Sequence, residues 1–368
     1  MRKKFVFCSV PDFSDNARAM FEFMVEYPIE GEYIWLFNDS EQTRDPFFDK
    51  YKEKKVKFIQ KNSFIGMYHY LTATFSFSDH GIFNNVPKVF SPKKIELWHG
   101  MPLKQIGNYH EKNTIFFDKT ISTSPIFDEV LSKAFGITNH ELIYSGLPRN
   151  DKLFIKNSYN ISQLFFQNDY PVIAWLPTFR KHISGDYNDG SFENNKLAFF
   201  DFDELKELDQ QLMQSKKNLL VKLHPLDILN REKELDGSFK QIRILTTNQF
   251  EKQHFDLYKI LSEVEGLITD YSSVYFDFLL TKKPIGLVQT DVEEYKKTRG
   301  IIKKIEQKMI GSQIKSKEDF VQFLIEEKRH ELNYDELITI FQERDTQGKN
   351  ARSICTYLQL IKEDKKSQ

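Results

Sequence analysis

Only two cysteines occur in the 368 residues, Cys8 and Cys355, near opposite ends. Neither a disulfide framework nor a cysteine-based metal site can be built from them, which suits a reducing compartment. Charge of one sign is not in excess either: 52 Lys plus Arg stand against 53 Asp plus Glu. Such a chain has no bulk field to steer it onto nucleic acid, so any anion site has to be built locally. No long hydrophobic run is present, whereas a bilayer-spanning helix needs about twenty apolar residues. The apolar stretch behind Arg2, Lys3 and Lys4 is too short for a signal-peptide core and lacks a small-residue cleavage site, so it is expected to be a first buried strand. A Gly-rich dinucleotide fingerprint and a P-loop are both missing, which argues against a dehydrogenase or a standard ATPase. No metal-binding spacing surrounds His99 or His224, so no metal ligation is expected of them.

What is present is apolar and aromatic material for two cores, 40% and 14% of the residues. The length exceeds the roughly 250–300 residues at which one core stops growing, so two domains are expected. Short apolar runs alternate with helical spacing throughout. After the first strand, a polar turn over residues 11–16 leads to Ala17, Met20, Phe21 and Met24 on one helix face. Strands are expected at 33–37, 56–59, 72–77, 95–98, 119–123 and 142–145, with a helix opened by Ser124-Pro125 and stopped by Gly136. A polar, Asn-rich stretch over 152–169 marks a boundary. The alternation then restarts, with strands at 172–176, 219–223, 242–246 and 267–268, and a last buried one at 285–288. Helices are expected at 202–216 and 256–264, and two amphipathic helices, 317–328 and 350–363, finish the chain.

This order predicts an α/β protein with two facing Rossmann-like domains of parallel sheet and a central cleft: residues 1–155, residues 165–345, and a C-terminal helix over 346–368 packing back on the first domain. Ligands of such sheets bind beyond the carboxyl ends of the strands, and clefts between domains are favoured sites. The stretch 266–280 is a strand that breaks into Thr269, Asp270, Tyr271, Ser272 and Ser273 before turning into a helix. Free N–H groups at such a turn, together with the serine hydroxyls, suit a phosphate; simple helix capping is the competing role. His99 and His224, one in each half, each follow an apolar strand, where a histidine can take a proton or hydrogen-bond a phosphate. Lys104, Arg149, Arg180 and Lys222 lie at or just beyond strand ends, where a cation can meet phosphate oxygens or merely face solvent. Asp277 can bind a ribose hydroxyl, orient a neighbour or complement the helix dipole.

Five stretches in order carry a more specific signal: Trp98-His99-Gly100-Met101-Pro102-Leu103-Lys104, Ser145-Gly146-Leu147-Pro148-Arg149-Asn150-Asp151, Trp175-Leu176-Pro177-Thr178-Phe179-Arg180, Lys222-Leu223-His224-Pro225 and Ile268-Thr269-Asp270-Tyr271-Ser272-Ser273. Together they resemble the CDP-glycerol glycerophosphotransferase family, the teichoic-acid primases and polymerases and related capsule enzymes. The resemblance runs from about residue 5 to residue 300 and weakens beyond it, where an expected Pro-Gly reads Ile310-Gly311.

The resemblance implies a glycosyltransferase-B type fold and transfer of a polyol phosphate, glycerol phosphate or ribitol phosphate, from a CDP-activated donor to a hydroxyl of a lipid-linked glycan or growing polymer, releasing CMP. It implies His99 and His224 as catalytic residues. Donor contacts fall on Trp98, Gly100, Met101, Pro102, Arg149, Pro177, Thr178, Arg180, Lys222, Leu223, Ser272, Ser273 and Asp277, with Lys104, Asp270 and Arg299 as further candidates. No tightly bound cofactor is implied, and no nucleic-acid partner. The alternatives are a nucleotide-sugar glycosyltransferase on the same fold and a catalytically silent scaffold in surface-polymer assembly. A lipid-linked acceptor implies a cytoplasmic enzyme at the inner face of the plasma membrane. Lys52, Lys54, Lys55, Lys57 and Lys61, followed by Phe64, Ile65, Met67, Tyr68 and Tyr70, are the candidate contact, with a packed helix and a solvated basic edge as the competing interpretation.

Overall fold

The computed structural model describes residues 3–27, 29–39, 41, 45–109, 115–156, 159–177, 192–193, 196–197, 200–223, 237–289, 300–326 and 332–362. The chain divides into two compact units. The first comprises Met1–Pro102, Ile106–Phe154 and Thr339–Gln368; the second comprises Leu103–Gln105 and Ile155–Ile338.

Among the described residues the first unit holds seven strands: β1 (Lys4–Cys8), β2 (Glu32–Phe37), β3 (Val56–Gln60), β4 (Phe75–Ser78), β5 (Lys93–Glu96), β6 (Lys119–Ser122) and β7 (Leu142–Tyr144), in the order β3-β2-β1-β4-β5-β6-β7. All pair in parallel. Parallel strands covered on both faces need apolar side chains on both. Phe7 sits in register with Trp35 on one side and Phe77 on the other, and the three rings stack across the sheet with centroids 6.1 and 5.1 Å apart. The helix Asp15–Glu26 buries Ala17, Met20, Phe21 and Met24, the face its spacing predicts. The helix Pro125–Phe135 ends where Gly136 turns left-handed, at φ 65°.

The second unit repeats the plan. Its sheet runs β12-β11-β8-β13-β14-β15, where β8 is Val172–Leu176, β11 is Asn218–Lys222, β12 is Ile242–Leu245, β13 is Gly266–Thr269, β14 is Ile285–Val288 and β15 is Ser312–Ile314; Phe192–Glu193 (β9) and Lys196–Leu197 (β10) form a separate small hairpin. Trp175 of β8 packs edge-on against Phe320 at 4.6 Å, inside a core that includes Val221, Ile268 and Val288.

Two expectations need correction. Strand β14 is not the last, because β15 pairs beside it; Ser312-Gln313-Ile314 at a sheet edge has no apolar run to announce it. Among the described residues three helices follow β15 rather than two, Lys317–Ile325, Tyr334–Phe341 and Asn350–Tyr357. The unpredicted middle one carries the chain from the second unit back to the first.

That return is pinned at several points. Thr123 Oγ1 donates to the Phe341 carbonyl at 2.7 Å, and the Arg344 fork meets both Asp128 oxygens at 2.6 and 2.7 Å. Asp151 accepts the N–H groups of Asn350 and Ala351. Gly146 must be glycine for this reason, since a Cβ there would come within 2.5 Å of Asn350 and Asp345 oxygens. Among the described residues no helix is long and apolar enough to cross a membrane.

Phe341 is fully buried, with its ring 6.1 Å from that of Phe127. Phe341→Ala should therefore lower unfolding free energy by about 3–5 kcal/mol, the usual loss for a buried phenylalanine, measured by urea denaturation. A loss below about 1 kcal/mol would mean that the returning segment is not integral to the first unit.

Candidate functional site

In a doubly wound sheet the strand order reverses at one point, and ligands bind outside the carboxyl ends of the strands flanking it. In the first unit that point lies between β1 and β4. Strand β4 ends in Asp79-His80, and β5 runs on through Leu97 to Trp98, His99 and Gly100. Trp98 takes a left-handed backbone at φ 60° and Gly100 one at φ 123°, a turn that costs a non-glycine residue about 1–3 kcal/mol. The turn is held from below: Trp98 is 5% exposed, with its ring 4.9 Å from Phe135, and its carbonyl accepts Asn16 Nδ2 at 2.8 Å. His99 is left exposed at the tip while Trp98, Gly100, Met101 and Pro102 are buried. Its Nδ1 lies 3.2 Å from the Asp79 carbonyl. A carbonyl can only accept, so Nδ1 carries the proton and Nε2 keeps the lone pair. The His80 ring lies over the His99 ring, with centroids 4.1 Å apart and planes 6° from parallel.

Arg149 reaches the same place from the turn after β7. Its N–H donates to Asn16 Oδ1 at 3.0 Å, and its guanidinium meets Asp15 at 2.7 Å. Beneath lie acids deprived of water. Asp79 is fully buried and accepts the Ala17 N–H; burial, then the nearby Asp15 and Glu96, hold its carboxyl well above the ordinary range. Burial pushes Glu96 up to about 8, against hydrogen bonds from Ser78 Oγ and the Gly81 N–H. Burial, then the neighbouring His99, brings His80 down to about 4. At neutral pH Glu96 and His80 are therefore largely uncharged, and Asp15 and Arg149 form an ion pair beside them.

In the second unit the order reverses between β8 and β13, and Thr269 Oγ1 ties the two ends together through the Leu176 carbonyl at 3.0 Å. Pro177 follows one strand and Asp270, Tyr271, Ser272 and Ser273 the other. Ser272 and Ser273 are half-buried, and Ser273 makes no side-chain cap to its helix, Val274–Phe278. Five residues carry little macrodipole, so an anion here would rest on N–H groups and hydroxyls. Asp277 is 1% exposed and accepts the Tyr258 hydroxyl at 2.6 Å. Lys222 ends β11 with its ammonium 5.1 Å from the Phe250 ring centre, and Leu223 is fully buried. Lys104 belongs to the second unit, bridged to Ile301, while Gln105 N donates to the Gly300 carbonyl. Thr178, Arg180, His224 and Arg299 lie outside the described residues.

The structure thus gathers Trp98, His99, Gly100 and Arg149 in one unit, and Pro177, Asp270, Ser272 and Ser273 in the other. Asp15, Asn16, Asp79, His80 and Glu96 escaped notice in the sequence. A signal was available for two of them, since Asp79-His80 follows an apolar strand as Trp98-His99 does.

Two parallel Rossmann-like units with polar loops at both reversal points define a fold of the glycosyltransferase-B type. Residues 1–361 match the family described as CDP-Glycerol:Poly(glycerophosphate) glycerophosphotransferase. The chain belongs to that family, and the resemblance carried by its five motifs holds at that level. It is 26% identical over 359 residues to the teichoic acid poly(glycerol phosphate) polymerase of Bacillus spizizenii, covering 90% of this chain and 84% of the relative. It is 25% identical over 376 residues to the teichoic acid glycerol-phosphate transferase of Staphylococcus aureus, covering 93% and 89%. The wall teichoic acid polymerase TagF, in a structure soaked with CDPG, superposes with a TM-score of 0.75 at 21% identity, covering 97% of this chain and 88% of that one.

Glu96 gives the site a measurable pH signature. Its folded carboxyl near 8, against an ordinary 4.5, keeps a proton that the unfolded chain loses between those values. Stability therefore falls as pH rises from about 4.5 through 8. Glu96→Gln removes that share, so the drop in urea midpoint between pH 5 and pH 8.5 should be smaller than in the parent; an unchanged drop would mean that Glu96 ionises like a surface carboxylate.

Proposed function

We propose that this chain transfers glycerol phosphate, or the related ribitol phosphate, from its CDP-linked form to a hydroxyl of a lipid-linked glycan or growing polymer, releasing CMP. The observation that carries the proposal is His99: an exposed imidazole on a strained turn at a reversal point, with Nδ1 committed to the Asp79 carbonyl and the lone pair therefore on Nε2. In the mechanism, Nε2 takes the acceptor's hydroxyl proton as its oxygen attacks the β-phosphorus. The bond from that phosphorus to the bridging oxygen breaks in line, and CMP departs with the electron pair. Positioning and charge stabilisation supply the rest of the rate. Those tasks fall to Ser272, Ser273 and Lys222, with Pro177, Leu223, Asp270 and Asp277 shaping the donor loops. Thr178, Arg180, His224 and Arg299 join them on the strength of their motifs, His224 as the second catalytic histidine. Trp98, Gly100, Met101, Pro102 and Arg149 form the bed that presents His99, and Lys104 belongs to the donor side.

Incubation with CDP-glycerol, CDP-ribitol and a panel of UDP-sugars, following CMP against UDP release, tests the donor class. CMP release with a CDP-polyol is expected. UDP release alone would assign a glycosyltransferase, and no release a scaffold. His99→Ala should lower transfer by at least about 100-fold while CDP still binds in calorimetry; normal turnover by that variant would remove His99 as base.

The setting proposed for this reaction is a membrane surface. On the helix Phe64–Leu71, started by Ser63 capping the Gly66 N–H, the residues Phe64, Ile65, Tyr68 and Leu71 share one exposed face, Phe64 at 98%. Lys52, Lys54, Lys55, Lys57 and Lys61 precede it, and such a face beside cations suits an anionic lipid interface. Each apolar side chain withdrawn from water is worth about 1.5–3 kcal/mol. The double change Phe64→Ser with Ile65→Ser should accordingly weaken co-sedimentation with phosphatidylglycerol vesicles by about 10-fold or more, and undiminished sedimentation would exclude this face.

A further inference from the structure

We infer that His80 is a positioning residue for His99, its ring laid flat on the His99 imidazole so as to fix the plane of that ring and shield one of its faces from water. This rests on the proposal that His99 is the base. The end of β4 grips His99 at two points, the Asp79 carbonyl on Nδ1 at 3.2 Å and the His80 ring at 4.1 Å. The hydrogen bond fixes one point of the His99 ring and the parallel stack fixes its plane, so the two together set the direction of Nε2.

The grip is itself anchored, because Asp79 takes the N–H of Ala17 at the start of the helix Asp15–Glu26. His80 is not there merely as filler. Its Nδ1 is shut away from solvent with no hydrogen-bond partner among the described residues, which costs about 1–3 kcal/mol. A leucine would fill the space without that loss. What imidazole adds is a flat, polarisable ring that carries no charge here. The charged and titratable groups around it are His99 in the stack, Asp15 from the helix, Asp79 and Glu96 from the strand ends, and Arg149 bound to Asp15. Burial, then His99, holds His80 down to about 4, so it leaves the His99 ring to gain and lose a proton alone.

The direction of the pH effect follows. Water on both faces of His99 would favour its imidazolium form, so loss of His80 raises the pH at which His99 gains a proton. A base is useful only unprotonated, so the acid limb of the kcat/KM profile moves to higher pH.

The test compares His80→Ala, His80→Leu and His80→Phe with CDP-glycerol as donor and a lipid-linked glycerol phosphate primer as acceptor. CDP binding by calorimetry serves as the check that each variant is folded. Ala and Leu should lower kcat by about 10- to 100-fold, the cost of misplacing a reacting group, with donor KM within about twofold, and Phe should restore most of the rate. NMR titration of the His99 ring should show its transition moving to higher pH in His80→Ala and staying near the parental value in His80→Phe. Equal rates for Leu and Phe would reduce His80 to bulk and overturn the inference, as would a parental kcat and parental His99 titration in His80→Ala. The NMR arm reads the stack whether or not His99 is the base. Full activity of His99→Ala would defeat only the role of His99 in transfer, and an unmoved titration only the role of His80.

Discussion

The first unit's site depends on one buried side chain, the amide of Asn16. Its Nδ2 donates to the Trp98 carbonyl and its Oδ1 accepts the Arg149 N–H, so a single fully buried group joins the ends of β5 and β7 to the start of the helix that follows β1. An amide can donate and accept at once, which a carboxylate or a hydrocarbon of the same shape cannot do. Either partner left unpaired in this position would cost about 1–3 kcal/mol. That cost is what holds Trp98 in a left-handed backbone it would not otherwise adopt, and the exposed ring of His99 stands on that turn. Asp79 acts alongside, taking the Ala17 N–H with its carboxyl and His99 with its carbonyl. Geometry at the exposed tip is thus decided by polar groups that never see solvent.

The same burial sets the electrostatics. Three carboxyls, those of Asp15, Asp79 and Glu96, lie beneath a histidine pair, and in water they would all be ionised. Removed from water, the Asp79 and Glu96 carboxyls are both pushed up, Glu96 to about 8, and Asp15 is matched by Arg149. A floor of such acids carries less negative charge beneath His99 than free carboxylates would. It also avoids repelling a substrate that carries phosphate. The second unit works by other means, with hydroxyls and N–H groups after β13 and Lys222 after β11, and its Asp277 turned inward to Tyr258. Two sheets of one topology therefore present different groups at equivalent points, an exposed imidazole in one and serine hydroxyls with backbone N–H groups in the other. Fold alone would not have assigned these roles.

Much of this was legible beforehand. The parallel sheets followed from apolar runs alternating with helical spacing, and Gly136, Ser124 and Pro125 marked a helix correctly. The family was readable because short polar motifs at strand ends keep their order along the chain. Other features were not. Strand β15 has three residues and no apolar run, so only its pairing with β14 reveals it. The helix Tyr334–Phe341, which carries the chain back to the first unit, was missed although Asn333 with Glu336 three residues on is a start signal, and the two side chains meet in the first turn. Lys104 reads as part of the His99 loop because it is five residues away, yet it pairs with Ile301 in the other unit. Gly146 stood in the sequence only as part of a motif; in the structure it is closely approached by Asn350 and Asp345.

What the sequence determined by itself is what depends on local pattern: two α/β units, the strand ends where chemistry can sit, and the motifs that define a CDP-polyol phosphate transferase family. What only the tertiary structure decided is which polar groups meet. Asn16 and Arg149 are 133 residues apart, and Asp79 lies 62 from Ala17; no periodicity relates such pairs, because they are brought together by strand order rather than by spacing. His80 shows the difference most plainly. In the chain it is one more histidine after a strand, and only when β4 and β5 lie side by side does its ring cover that of His99.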